Sequence, residues 1–378
     1  MNNTISIWEQ ETFFAPADVL IAGAGFLGLW TALELITRKP RAKITIIEKG
    51  VNPMGASSKN AGFACVGSPA ELIADAEKMG EEAMWSVVEM RYKGIKKIRQ
   101  HFKDNLIDFD SCSGYECFAE GAQEITEIDD KLWWLNEGMQ MISGAEESFK
   151  WSNEKMQQFA FKGFGAMIEN AIEGGIHSGK LLLCLMKKVQ SLGVNILTGI
   201  QVNSWQKTND CIKIYTSITT LQTEQLVICT NAFSSQLIPD FCIEPARGQV
   251  FVTEPIENLK MKGTFHYDKG FYYFRNVGNR ILMGGARNKD FGTERTDEQA
   301  INDHIQNHLE RFVSEHLLTN VSFYVNHRWS GIMGFTEDKL PVVKQVDENI
   351  YAAVCCNGMG VALSPVMAEK IAEKVCLL

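Results

Sequence analysis

The hydrophobic pattern becomes regular at Asp18, where VLIA runs unbroken into Gly23 and Leu29, Ala32, Leu33 and Ile36 then recur at helical spacing. A short apolar run that stops at glycine reads as a buried parallel strand, and the three-and-four spacing reads as one face of a helix. After a polar break at Arg38–Lys43, the run ITIIE supplies a second strand. The order is therefore strand, tight turn, helix, strand. Residues 69–102 carry Leu72, Ala76, Met79, Ala83, Val87 and Met90, and predict one long helix with Pro69 near its start. A less regular stretch containing Trp133 and Trp134 follows. Ser178–Leu192 predicts a helix ending at Gly193, and VNIL, QVNSW, CIKIYTS and LVICT predict strands after it. The next block alternates GQVFVTE, GFYYFRN and RILMGG with one amphipathic segment from Thr296 to Leu317, which predicts an antiparallel sheet with a helix. NIYAAVCC reads as a last strand, and GMGVALSPVMAEKIAEKV as a glycine turn entering a helix. No repeat or linker separates these blocks, so the domains are expected to interleave.

At 378 residues, 45% of them hydrophobic and 22% charged, the chain has the material for two globular domains. A net charge of -9 gives no bulk attraction for nucleic-acid phosphates or anionic lipid. The segment up to Gly23 lacks the basic and apolar regions of a secretory leader, and no apolar run approaches the ~18 residues a membrane span requires. The ten cysteines are scattered; Cys112 with Cys117, and Cys355 with Cys356, lack metal-site spacing. These features predict reduced thiols, no metal, and a cytoplasmic protein.

Three constellations carry chemistry. Gly23-Ala24-Gly25-Phe26-Leu27-Gly28 lies between the first strand and its helix, where glycines admit a tight turn and the helix N-terminus offers N–H groups to a pyrophosphate. Glu48, followed by Lys49, ends the second strand twenty residues after Gly28, where a carboxylate can accept both ribose hydroxyl protons. This half-site fits NAD as well as FAD. Gly55-Ala56-Ser57-Ser58-Lys59-Asn60-Ala61-Gly62 combines small residues with hydroxyl and amide groups, suited to close approach of a flat ligand. Asn357-Gly358-Met359-Gly360-Val361 precedes the last helix, where N–H groups could stabilise negative charge on a reduced isoalloxazine. A nicotinamide enzyme needs no such cradle, so the second and third constellations favour FAD.

In this order, GAGFLG with Glu48, GASSKNAG, GGIHSGKL at Gly174–Leu181, ARGQVFVTEP at Ala246–Pro255, RILMGG, RWSGIMGFTEDKLPVV at Arg328–Val343 and NGMGVALSP resemble the D-amino acid oxidase/glycine oxidase superfamily of FAD-dependent oxidoreductases. Within it the chain is most similar to the gamma-glutamylputrescine oxidoreductase-like branch. The resemblance runs from about Asp18 to the C-terminal helix. It implies an α/β fold, α+β overall: a glutathione-reductase-like FAD-binding domain from residues 1–105, 150–240 and 328–378, interleaved with an antiparallel-sheet substrate domain from 106–149 and 241–327. It carries the pyrophosphate turn onto Gly23, Gly25 and Gly28 and the adenosine ribose onto Glu48, with Phe26, Leu27 and Lys49 also expected to bind the cofactor. Ser57, Ser58, Asn60, Ala61 and Gly62 match the segment along the flavin, Val202 the position whose backbone meets adenine, and Gly331, Gly358, Met359, Gly360 and Val361 the isoalloxazine lining.

The activity implied is oxidation of a C–N bond in a small amine by hydride transfer to flavin N5, giving an imine that hydrolyses, with oxygen or another acceptor taking the electrons. Non-covalent FAD is expected. The alternatives are a secondary amino acid dehydrogenase or oxidase, and a non-redox flavin-binding scaffold. Two departures matter. Met333 stands where amino-acid oxidases of the superfamily often carry an arginine for the substrate carboxylate. Met283 is matched approximately to an oxygen-activating lysine of the sarcosine oxidase branch. Arg287, His327 and Tyr273 remain as candidates for substrate contact, and Arg247 is expected to brace a domain. Tyr272 and Tyr273 should face opposite sides of their strand, so only one lines a pocket.

Overall fold

The computed structural model describes residues 4–377. Met1–Asn3 and Leu378, the outer ends of two expected domain segments, lie outside the described residues. The chain divides into two units, one comprising Met1–Ser58, Gly179–Pro245 and Met333–Leu378, the other Lys59–Ser178 and Ala246–Ile332.

The first unit is built on a sheet whose strands run in the order Val342–Asp347, Ile350–Val354, Thr220–Ile228, Ala17–Ala22, Ile44–Glu48 and Asn195–Thr198. Ala17–Ala22 pairs in parallel with both Thr220–Ile228 and Ile44–Glu48, which accounts for its uninterrupted apolar run. An antiparallel branch, Val202–Lys207 with Ile212–Thr216, joins at Thr220–Ile228. Helix Phe26–Arg38 packs against helix Gly360–Cys376, and both bury nearly their whole apolar faces.

The second unit holds a sheet in the order Val325–Phe335, Glu244–Thr253, Arg280–Gly285, Tyr272–Val277, Thr264–Tyr267, Gly114–Ala119, Phe164–Asn170 and Phe149–Trp151. Register sorts its two faces. Tyr115, Phe265, Phe274, Met283 and Phe251 lie in one row across adjacent strands and enter an apolar core with Ile305, Leu309 and Phe312 of helix Asp303–Phe312. Phe265 and Phe274 stack with centroids 5.0 Å apart. The neighbouring row, Glu116, His266, Tyr273, Gly284 and Val250, takes the opposite face because successive side chains alternate.

Several elements depart from the sequence pattern. The stretch 69–102 is two helices, Pro69–Met79 and Glu81–His101, broken at Gly80, whose φ of 87° no continuing helix tolerates. The irregular stretch around Trp133 is a 20-residue helix, Glu124–Ser143, held by buried Ile128, Leu135 and Met139. Thr296–Leu317 contains a shorter α-helix, Asp303–Phe312, continued by a π turn at Val313–Leu317.

The boundaries also fall elsewhere. Residues 59–105 and 150–178, expected in the nucleotide-binding domain, group with the second unit. Phe63–Ala64 pairs with Gly174–Gly175, helices Pro69–Met79 and Glu81–His101 pack on Glu124–Ser143, and Phe149–Trp151 and Phe164–Asn170 extend the second sheet. These long-range pairings leave no trace in local periodicity.

Candidate functional site

In the first unit, Gly23 follows Ala17–Ala22 with φ 105°, and its N–H donates to Ile47 O at 2.7 Å. A Cβ on Gly28 would stand 1.9 Å from Gly23 O, so the helix seats on the turn only with glycine there. Phe26 and Leu27 are buried in the first helical turn, so their side chains belong to the core and only the backbone there could meet a ligand. Glu48 closes the site from the second strand: Oε2 accepts from Ala24 N at 3.0 Å and Oε1 from Gly50 N at 3.0 Å. Lys49, beside it, is exposed.

Ser57, on the short helix Ala56–Lys59, accepts from Phe26 N at 2.8 Å through Oγ. It thus occupies the N-terminal end of the helix that opens at Phe26. A serine hydroxyl both accepts and donates, and a helix N-terminus with such a group beside it is chemically suited to a pyrophosphate. Ser58 has a different role, donating to Pro53 O at 2.7 Å and so folding its own loop. Val202 begins an antiparallel strand and is half-buried against the unit's core. The preceding residues approach the carboxylate strand, with Ile200 N bonded to Glu48 O at 3.0 Å.

The C-terminal turn belongs to the same unit. Asn357, at φ 46°, donates through Nδ2 to Lys339 O at 2.8 Å and accepts from Thr336 N at 3.0 Å. Gly358 follows at φ 86°, and Met359 precedes the helix that opens with Gly360 and Val361. The sulfur of Met333 lies 3.7 Å from where a Gly358 Cβ would stand. A thioether therefore sits beside this turn.

In the second unit, Asn60 Oδ1 accepts from Gly62 N at 2.8 Å and from Ser178 Oγ at 2.5 Å, fixing the Asn60–Gly62 loop with Ala61 between. Lys59 O accepts from Trp329 Nε1 at 2.8 Å, and a Cβ on Gly331 would fall 2.7 Å from Lys59 Cβ. Gly331 and the start of the loop are thus neighbours. Phe63 continues the loop with its ring 6.0 Å from Tyr273 and 5.1 Å from His266, both edge-on.

Tyr273 is half-buried on this face, while Tyr272 stacks on Phe312 at 4.9 Å on the other. Burial pushes the Tyr273 phenol up to about 12, with Arg287 opposing, so it is a neutral hydrogen-bonding group at physiological pH. Arg287 lies over the Phe291 ring at 5.2 Å. His327 is exposed, its ring 5.9 Å from Trp329. Arg247 braces its own unit through Glu294, at 2.7 and 3.1 Å. Met283 is fully buried in the apolar core, on the face away from Tyr273. The approximate match of Met283 to a cofactor-facing lysine is therefore corrected: strand alternation turns that side chain into the core, and its chemistry says nothing about oxygen.

Several residues here were not singled out in the sequence. Behind Phe63, Glu173 Oε1 accepts from Val66 N at 2.7 Å and Gly67 N at 3.1 Å, while Glu116 accepts from Ser68 Oγ at 3.0 Å and Ala70 N at 2.9 Å. Arg91 pairs with Glu71 at 3.1 Å and donates to Cys65 O at 3.1 Å. Burial pushes the Glu116 carboxyl up to about 8 and that of Glu173 up to about 7, and pulls the His266 imidazole down to about 4. Arg275 is buried beneath Gly62. Its signal was available: it lies two residues after Tyr273, on the same strand face.

Among the described residues there is no helix long and apolar enough to cross a membrane, and no cluster of three or more metal-ligating side chains.

Residues 18–374 match the family described as FAD dependent oxidoreductase. The gamma-glutamylputrescine oxidoreductase of Escherichia coli is 22% identical over 372 residues, covering 94% of this chain and 83% of that protein. A probable oxidoreductase OrdL of Haemophilus influenzae is 23% identical over 387 residues, covering 97% and 86%. Among solved structures, L-proline dehydrogenase from P. horikoshii superposes with a TM-score of 0.77 at 18% identity, covering 96% of this chain and 94% of that one. Glycine oxidase from Geobacillus kaustophilus gives 0.73 at 20% identity, covering 95% and 94%.

Proposed function

The chain belongs to the FAD-dependent oxidoreductase family, and from that premise we propose that it oxidises the C–N bond of a small amine, with FAD held non-covalently by the residues described above. The observation that carries the reading is the meeting of Glu48 and Ser57 at the Gly23–Gly28 turn, one on each side of the Ala24 and Phe26 N–H groups. That donor set fits the cofactor. Glycines leave backbone exposed to a pyrophosphate, the helix N-terminus favours its charge, and Glu48 can exchange backbone donors for ribose hydroxyls.

In this assignment Gly23, Gly25, Gly28 and Ser57 hold the pyrophosphate, Glu48 the ribose, and the backbone at Val202 the adenine. Asn60, Ala61, Gly62, Gly331 and the Gly358–Val361 turn line the isoalloxazine. When bound, FAD supplies the two-electron acceptor that the protein lacks. The side chains then bind, orient and dehydrate the amine. Tyr273, protonated at neutral pH, serves as a hydrogen-bond donor rather than a base. Met333 puts a thioether beside the Gly358 turn, so in this reading recognition does not depend on a guanidinium–carboxylate pair from that position. The amine leaves as an imine, which water hydrolyses. The ten thiols fit a reducing compartment, and we place the protein in the cytoplasm with oxygen or another acceptor closing the cycle.

The test is anaerobic titration of the FAD-loaded protein with primary amines, secondary amines and α-amino acids, read from the visible flavin band. Bleaching by an amine lacking an α-carboxylate is expected. Bleaching by α-amino acids alone would overturn the substrate class, and failure to load FAD would overturn the cofactor assignment.

A further inference from the structure

The second unit buries three arginines, and two of them are neutralised. Arg91 pairs with Glu71, and Arg247 with Glu294. Arg275 is different. Its Nε donates to Asn276 O at 3.1 Å, and its Nη1 donates to Ile176 O at 3.1 Å and to Gly62 O. Every one of these acceptors is a main-chain carbonyl. Among the described residues no carboxylate forms an ion pair with it; Asp110 and Cys112 act on it only through space. The Cys112 thiol is itself pushed up by burial, so it adds no negative charge at neutral pH. A guanidinium keeps its proton in proteins, and Arg275 stays a cation although burial pulls its pKa down.

The fold makes room for this charge. A Cβ on Gly175 would fall 2.2 Å from Nη2, and one on Gly62 would fall 3.0 Å from Nη1. Alternation puts Arg275 on the same sheet face as Tyr273, with Phe274 between them turned into the apolar core. A buried cation is costly unless paired, because carbonyl dipoles replace only part of its hydration. Bracing Gly62 alone could be done by a neutral amide donor, without that cost. What a carbonyl-bound guanidinium adds is a positive field in a poorly screened environment, with no carboxylate paired to it and only Asp110 opposing it through space.

We propose that Arg275 is a positioning residue for the flavin: it holds the Asn60–Gly62 loop through Gly62 O and keeps an unpaired positive charge behind that loop, favouring electron-rich forms of the bound isoalloxazine. This rests on the assignment of Asn60–Gly62 to the flavin made above. The counter-charge that the protein omits is the one the cofactor acquires on reduction.

The test uses FAD-loaded protein and two readouts independent of turnover, the midpoint potential and the dissociation constant for sulfite, a probe that adds to the isoalloxazine and leaves negative charge on it. Arg275→Gln should bind sulfite roughly tenfold more weakly and have a lower potential, while Arg275→Lys, which keeps the charge, should stay within about threefold of the parent. Asp110→Asn removes a nearby negative charge and should tighten sulfite binding roughly twofold. Unchanged potential and sulfite affinity in loaded Arg275→Gln would overturn the proposal, as would equal impairment of the lysine and glutamine variants. If Arg275→Gln does not fold, the other two variants decide: a lysine variant shifted tenfold, or an Asp110→Asn protein unchanged or weaker, overturns it. A parent that cannot be loaded with FAD would instead overturn the cofactor assignment beneath it.

Discussion

The hydroxyl of Ser57 accepts a hydrogen bond from the backbone N–H of Phe26 at 2.8 Å, although 31 residues separate them in the chain. It joins two motifs that the sequence presents independently. A serine in the second glycine-containing segment completes the helix terminus opened by the first, where a phosphate gains most from oriented donors.

Replacing Ser57 with alanine removes that partner and leaves the Phe26 N–H without its acceptor. Loss of such a helix-terminal hydrogen bond costs about 1 kcal/mol, so the FAD dissociation constant should rise roughly fivefold. Fluorescence titration of apoprotein checks this; unchanged affinity would remove Ser57 from the pyrophosphate site.

Glu48→Ala takes away an acceptor shared by Ala24 N and Gly50 N, together with the proposed ribose contact. Hydrogen bonds to a charged group contribute about 1.5–3 kcal/mol, so FAD affinity should fall at least roughly tenfold. Full FAD content in the purified variant would count against the ribose assignment.

Gly28→Ala sets a methyl group 1.9 Å from Gly23 O, where backbone rather than a flexible side chain must yield. Overpacking of this kind costs about 3 kcal/mol, and here the helix would have to lift from the turn. Thermal unfolding should show a lower midpoint, and the protein should purify with little FAD. A variant as stable and as yellow as the parent would contradict the packing described.

The carboxyls of Glu116 and Glu173 predict a pH dependence of stability. Burial raises them to about 8 and about 7 from the ordinary 4.5, so the folded protein favours their protonated forms. Their contribution is fully present below the unfolded value and is lost as pH rises through the folded values, between 4.5 and about 8. Glu116→Gln cannot ionise; its one amide oxygen can accept from Ala70 N while its amide nitrogen donates to Ser68 Oγ. Its melting temperature relative to the parent should therefore climb between about pH 5 and about pH 8.5. A pH-independent difference between the two proteins would show that Glu116 does not titrate in this range.

The sequence alone determined the parts that depend on neighbours in the chain. The strand–turn–helix at Gly23–Gly28 was legible because apolar run, glycine spacing and helical period are local, and Glu48 because the next strand ends at a fixed distance. The opposite orientations of Tyr272 and Tyr273 followed from strand alternation. Tertiary structure decided what depends on pairing between distant segments. It turned Met283 into the aromatic core, because the register against Phe274 and Phe251 sets which face a residue takes. It moved residues 59–105 into the second unit, because Phe63–Ala64 finds its partner at Gly174–Gly175. It also left Arg275 facing carbonyls while Arg91 and Arg247 found carboxylates. Periodicity reports where an apolar face lies, but a buried charge is defined by what folding brings beside it, and no local pattern records that.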